Sequence, residues 1–155
     1  MKEISDFLIE AKIQTYANAN VEKVDSSRKN SIDYEYKNNI MTYHDTYFGG
    51  TNFMGEEIVY TNEGLPIWGM NYYGKSLDDS LTEEAMDKAL RPALMLVGHS
   101  QDSLPLRGPK EYVNNEYKYT FDSNGTLSNF EGTESIYKNN IKIYELKCHG
   151  GLIQK

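Results

Sequence analysis

At 155 residues the chain has the length of one domain, with a core that buries roughly two-thirds of the surface of its extended form. Its 23 acidic and 16 basic residues give a net charge of −7 without a basic stripe, which argues against direct nucleic-acid binding. The single cysteine, Cys148, excludes an internal disulfide, and no stretch approaches the ~18 continuous apolar residues of a membrane span, so a cytoplasmic protein is expected with neither signal peptide nor membrane partner.

Ile4, Phe7, Leu8 and Ala11 recur at helical spacing, which predicts an amphipathic helix from about Glu3 to Tyr16 with Ser5 or Asp6 as its cap. Asn18 to Ser31 is polar and reads as a connecting loop. Strand signals follow at Asp33 to Lys37 and Ile40 to Phe48 around Asn38-Asn39, then at Glu56 to Thr61 and Leu65 to Gly74 around Asn62-Glu63-Gly64. Ser80-x-x-Glu83 reads as a capping box that opens a second helix with Leu81, Ala85, Met86, Ala89 and Leu90 on one face; Pro92 should kink or restart it. After a loop from His99 to Pro109, strands are expected at Lys110 to Val113, Glu116 to Phe121, Thr133 to Lys138 and Ile141 to His149. Asn114-Asn115, Ser123-Asn124-Gly125 and Asn139-Asn140 supply the turns.

The second half echoes the first at a near-constant offset. Phe53-x-Gly55-x-Glu57-x-Val59-Tyr60, followed by Trp68-x-Met70 and Tyr73-Gly74, returns as Phe130-x-Gly132-x-Glu134-x-Ile136-Tyr137, followed by Tyr144-x-Leu146 and His149-Gly150. Such an echo predicts architecture. The expected fold is α+β, a single domain over residues 1–155 built of two pseudo-repeats, at about 3–77 and 80–153. Each unit is a helix plus a four-strand antiparallel meander, with the helices packed on one face of the sheet.

Alternation along the strands sorts the side chains. Trp68, Met70 and Tyr72 share a face, as do Tyr144, Leu146 and Cys148, and both triplets read as core. His149 points away from Cys148, so the two do not form a dyad. Asp45 shares a face with Met41, Tyr43 and Tyr47 and stands where the other half has Phe121. A carboxylate in an apolar row is either paired with a hydroxyl or cation, or held with a raised pKa for function. Glu57 and Glu134 occupy matching places; they either cap their hairpins through backbone N–H groups or flank a cleft as acid and base. His44, His99 and His149 stand in no metal-binding spacing, and no phosphate-loop or nucleophile-elbow motif occurs, so neither metal nor cofactor is expected. Arg107 in Leu106-Arg107-Gly108-Pro109 either clamps an anionic ligand or makes a surface ion pair.

The strings Tyr43-His44-Asp45-Thr46-Tyr47-Phe48-Gly49-Gly50, Met70-Asn71-Tyr72-Tyr73-Gly74, Arg107-Gly108-Pro109 and His149-Gly150-Gly151-Leu152-Ile153 resemble an uncharacterised bacterial family catalogued as a domain of unknown function. That family occurs alone or C-terminal to XRE-type helix-turn-helix regulators. The resemblance implies an effector-sensing context and no established activity. Positions where the two halves disagree are the places to seek function: Asp45 against Phe121, Tyr47 against Ser123, Tyr73 against His149. The expectation is a small-molecule-binding module with a Tyr-lined cleft formed by Tyr43, Asp45, Tyr47, Tyr73, Arg107 and His149. Its rivals are a small-substrate enzyme using Asp45 or Glu57 with His149 as acid and base, and an interaction domain presenting exposed tyrosines, with a homodimer as one form.

Overall fold

The computed structural model describes residues 1–15, 17, 21–77, 81–99 and 103–154. Helix α1 (Lys2–Gln14) is followed by strands β1 (Ile32–Lys37), β2 (Met41–Gly49), β3 (Asn52–Thr61) and β4 (Pro66–Ser76). A short helical stretch then comprises α2 (Glu83–Ala85), a π-helical turn (Met86–Leu90) and α3 (Arg91–Leu94). Strands β5 (Glu111–Asn114), β6 (Tyr117–Thr126), β7 (Asn129–Lys138) and β8 (Ile141–Leu152) complete the chain.

All eight strands form one antiparallel sheet in the order β1-β2-β3-β4-β8-β7-β6-β5. This overturns the expected pair of helix-plus-four-strand units. Strand makes up 51% of the described residues and helical structure only 17%. The physical reason lies at the middle of the sheet. Strands β4 and β8 pair without interruption from Trp68↔Leu152 to Ser76↔Tyr144, so the sheet has no boundary at which a separate unit ends. Nor does the second helical stretch match α1. Pro92 brings no N–H to the helical ladder, and the chain passes it through a π-turn and a four-residue α3 rather than one continuous helix.

Several local expectations shift for identifiable reasons. Helix α1 begins at Lys2, upstream of Ser5 and Asp6, with no side-chain cap. The second helical stretch is capped by Thr82, whose hydroxyl accepts from the Ala85 N–H at 3.3 Å; the expected cap Ser80 lies outside the described residues, as do Tyr16, residues 18–20 and residues 100–102 of the two expected loops. Ser123-Asn124-Gly125 does not turn the chain. Gly125 takes φ +95 and β6 runs on to Thr126, pairing Gly125 with Phe130. The Asn139-Asn140 turn has both residues at positive φ (49 and 64), the geometry of a tight hairpin whose twist matches its strands.

Side chains of one parity form the inner face, covered by α1 against β1 and β2 and by the second helical stretch near β5 and β6. Phe7, Leu8 and Ala11 of α1 pack there with Tyr43, Val59, Trp68, Met70, Ile136, Tyr144 and Leu146. At the sheet centre two aromatic contacts recur. The Phe53 ring lies over Gly74 and stacks on Tyr144, with centroids 6.3 Å apart. The Phe130 ring lies over Gly150 and stacks on Trp68 at 5.7 Å. Each glycine makes the floor on which a phenylalanine reaches across its neighbouring strand.

Candidate functional site

The sequence-predicted residues divide between the two faces of the sheet. Asp45, Tyr43 and Arg107 lie inside, each no more than 5% exposed. Tyr47 is half-buried, its ring stacked near Tyr34 and edge-on to Phe53; burial raises its hydroxyl well above the ordinary tyrosine value. Tyr73 and His149 are exposed on the opposite face. No single cleft brings the six together.

The inner residues build a buried polar system. Arg107 and Glu134 form a two-pronged ion pair, and Lys12 of α1 is paired with Glu57. Neither glutamate caps a hairpin, and Arg107 is not at a pocket mouth: each carboxylate is the counter-charge of a buried cation. The signal for this was Lys12 on the apolar side of α1, one residue after Ala11. Tyr72 donates to Asp45 Oδ1 at 2.6 Å, which supplies the hydroxyl partner that an apolar row demands. Burial and then the neighbouring Glu57 charge push the Asp45 carboxyl up to about 7, with Tyr72, Lys12 and Arg107 acting in the opposite sense. Burial pushes the Cys148 thiol up to about 12, so it is an inert core group. Burial also lowers the Lys12 pKa against the pull of Glu57.

Among the described residues no helix covers the other face. One cross-strand row runs over it through seven strands: Asp33, Thr46, Glu56, Asn71, His149, Glu131 and Asn124. Every member is polar, and members of a row sit about 4.8 Å apart because that is the strand spacing. A flanking row runs through Met54, Tyr73, Lys147, Thr133 and Asp122. The other flank contains the paired glycines Gly69 and Gly151.

Two adjoining concavities open on the β6-β7-β8 part of this face, of about 520 and 620 Å³, and both are lined by Asn124, Glu131 and His149. The first adds Asp122, Thr133 and Lys147; the second adds Asn129. At the far end of the same row a smaller concavity of about 230 Å³ lies over Thr46 and Glu56, bounded by Arg28, His44 and Tyr60. Beside it Asp33 is wholly buried and accepts four side-chain hydrogen bonds, from Ser27 (2.6 Å), His44 (2.7 Å), Thr46 (2.8 Å) and Ser31. Burial alone would raise its pKa, but these donors together hold the carboxyl well below the usual range.

Of the predicted set, His149 is the residue that lines the large concavities. Reasoning from the breaks in the echo missed Asp33, His44, Thr46, Glu131 and Lys147. Strand parity held the signal, since the alternate positions Thr42, His44 and Thr46 of β2, Asn129, Glu131 and Thr133 of β7, and Glu145, Lys147 and His149 of β8 are polar. Among the described residues no cluster of three His, Cys, Asp or Glu side chains is placed to hold a metal ion, and no helix is long and apolar enough to cross a membrane.

Residues 45–153 match the family model described as a domain of unknown function (DUF5680), and the chain belongs to that family. Comparison with curated proteins and with solved structures returned no match.

Proposed function

We propose that this DUF5680 domain is a small-molecule-binding module whose ligand lies on the uncovered face of the sheet, around His149, rather than near Asp45. The observation that carries this reading is the convergence of His149, Lys147, Glu131, Asp122, Asn124 and Asn129 on two adjoining concavities. Binding sites are concave and use a few placed polar groups to orient the ligand. Here both charge signs are present alongside amide donors and acceptors, which suits a small polar ligand with ionic and hydroxyl or amide groups. The acid–base pairing of Asp45 or Glu57 with His149 is disfavoured, because those carboxylates face the core while His149 faces outward.

The effector-sensing role in a bacterial cytoplasm, alone or behind an XRE-type helix-turn-helix, belongs to the same proposal and rests on the resemblance of the strings quoted above. An origin by internal duplication is supported by the echo of Phe53, Gly55 and Glu57 in Phe130, Gly132 and Glu134.

The test is a thermal-shift screen of small polar metabolites against the wild type, repeated with H149A and E131Q. A ligand at one hundred times its dissociation constant adds about 2.7 kcal/mol, which is a rise of roughly 5–11 °C at this chain length. Loss of the shift in both variants supports the reading. A shift that survives both places the ligand elsewhere. A protein-partner reading draws on Met54 and Tyr73, cross-strand neighbours that are 58% and 51% exposed on this face; sedimentation as a monomer at all concentrations counts against a homodimer through that patch.

A further inference from the structure

We infer that the small concavity at the β1-β2-β3 end is a hydrolytic site for small esters, with His44 as general base, Asp33 as the residue that positions it and Arg28 as the oxyanion partner. This site shares no residue with the concavities around His149 and stands independently of them.

The geometry begins with Asp33. Its Oδ2 accepts from His44 Nε2, Thr46 Oγ1 and Ser27 Oγ together, and Ser31 Oγ reaches Oδ1. Four donors hold the carboxylate anionic. His44 Nε2 is therefore the donor nitrogen, and the neutral ring keeps Nδ1 as the acceptor. The Ser27 and Thr46 hydroxyls spend their protons on the same carboxylate, so neither side chain is primed as a nucleophile. Water is the nucleophile that remains. The concavity of about 230 Å³ holds about seven or eight waters' worth of liquid, room for a small ester and one water beside it.

The charged and titratable groups around His44 all bear on its proton. On β1, Asp33 touches Nε2 and Glu35 lies 3.8 Å from Nδ1; Glu56 and Tyr60 come from β3, and Arg28 from the preceding loop. When Nδ1 takes a proton, the imidazolium lies between two carboxylates. Arg28 pairs with Glu56 through Nη2, and a guanidinium carries five N–H donors in all. Its side chain is 55% exposed at the concavity rim, where it can meet a developing oxyanion.

In the reaction, His44 Nδ1 removes a proton from water as the water oxygen bonds to the acyl carbon. The carbonyl oxygen becomes an oxyanion facing Arg28. Collapse of this tetrahedral species breaks the bond to the leaving oxygen, which takes up the proton from the imidazolium. The products are a carboxylic acid and an alcohol, and His44 returns to its neutral form. This base, orienting carboxylate and oxyanion partner meet the requirements of acyl transfer to water.

The test uses p-nitrophenyl acetate with the full chain, following p-nitrophenolate release from pH 5 to 9. His44→Gln should lose about 10²-fold in rate, while His99→Gln, which does not line the concavity, should not change it. Arg28→Ala should lower kcat about 10²-fold with little effect on KM. The wild-type rate should rise as His44 loses its proton, and that limb should vanish in H44Q. Asp33→Asn, checked for folding by near-ultraviolet dichroism, should lower kcat with little effect on KM, a split that a merely structural role for Asp33 would not produce. A rate in H44Q equal to wild type, or a wild-type rate no greater than that of equimolar free imidazole, overturns the proposal.

Discussion

Arg107 and Glu134 meet inside the core with Nε and Nη2 each 2.9 Å from a different carboxylate oxygen, and the Tyr119 and Tyr144 hydroxyls donate to the same two oxygens at 2.7 and 3.1 Å. Tyr119 in turn accepts the Gly108 N–H at 2.8 Å, which fixes the Arg107-Gly108 turn against β6. A carboxylate with four donors is fully satisfied, and its removal leaves a cation and two hydroxyls stranded away from water.

Glu134→Gln should therefore destabilise the fold by about 3–5 kcal/mol, the cost of breaking a buried pair from one side. Urea unfolding at pH 7 measures it. The double variant Arg107→Met/Glu134→Gln should fall well short of the summed single effects, because the uncompensated charge is gone.

Lys12 offers a parallel case on the other half of the sheet. It ties α1 to β3 through Glu57, whose second oxygen, Oε1, has no hydrogen-bond partner among the described residues. Lys12→Met should cost about 3–5 kcal/mol and expose the α1 amides first in hydrogen exchange. Lys12→Met/Glu57→Gln should recover most of that loss. Equal protection of α1 in wild type and K12M would show that the pair does not anchor the helix.

Asp45 gives the core a pH dependence of definite sign. Its folded-state pKa is raised to about 7 from an ordinary 3.8, so the folded state holds the proton more tightly than the unfolded chain. Its contribution to stability is complete below pH 4 and is lost as pH rises toward 7. Asp45→Asn removes that loss. The stability of the wild type relative to D45N should fall by about 1.4 kcal/mol per pH unit between pH 4.5 and 6.5 and level off above pH 8. A flat difference across that range would mean that Asp45 titrates as an ordinary carboxylate in the fold.

The two sheet-centre glycines should differ in what they tolerate. An alanine Cβ at Gly74 would come within 2.5 Å of the Phe53 ring, and at Gly150 within 2.1 Å of the Gly69 carbonyl oxygen. A ring can tilt, whereas the carbonyl belongs to the β4 backbone. Gly74→Ala should cost about 1–3 kcal/mol, and Gly150→Ala more. Thermal unfolding of the two variants side by side checks the order.

The strands were legible because alternation and paired asparagines mark them locally: Asn38 Oδ1 accepts from both Ile40 and Met41 N–H at 2.9 Å, and Asn139-Asn140 adopts the turn that its residues favour. The single sheet was not legible. Pairing of Tyr72 with Cys148 and Gly74 with Leu146 is a long-range choice that no local pattern encodes. Arg107 read as a ligand clamp or a surface ion pair and Glu57 as a hairpin cap or an acid–base group, because no local pattern shows that each finds its counter-ion in the core. Site reasoning also looked for function where the two halves differ, which led to Asp45, and passed over the outward parity of His44 and Glu131. There the polar residues lie rows apart in sequence and adjacent only through the sheet register.

The β4-β8 seam has a consequence for how the chain folds. Every other strand pair joins neighbours in sequence, so β1-β2-β3-β4 and β5-β6-β7-β8 can each close through short loops. The seam alone unites the two halves of the sheet, and loop-closure entropy makes such a contact the slow one. Until it forms, β4 and β8 are both bare edges, each able to accept a strand from another molecule. Aggregation during synthesis and exchange of half-sheets between copies thus share one point of vulnerability, and closing the seam removes both at once.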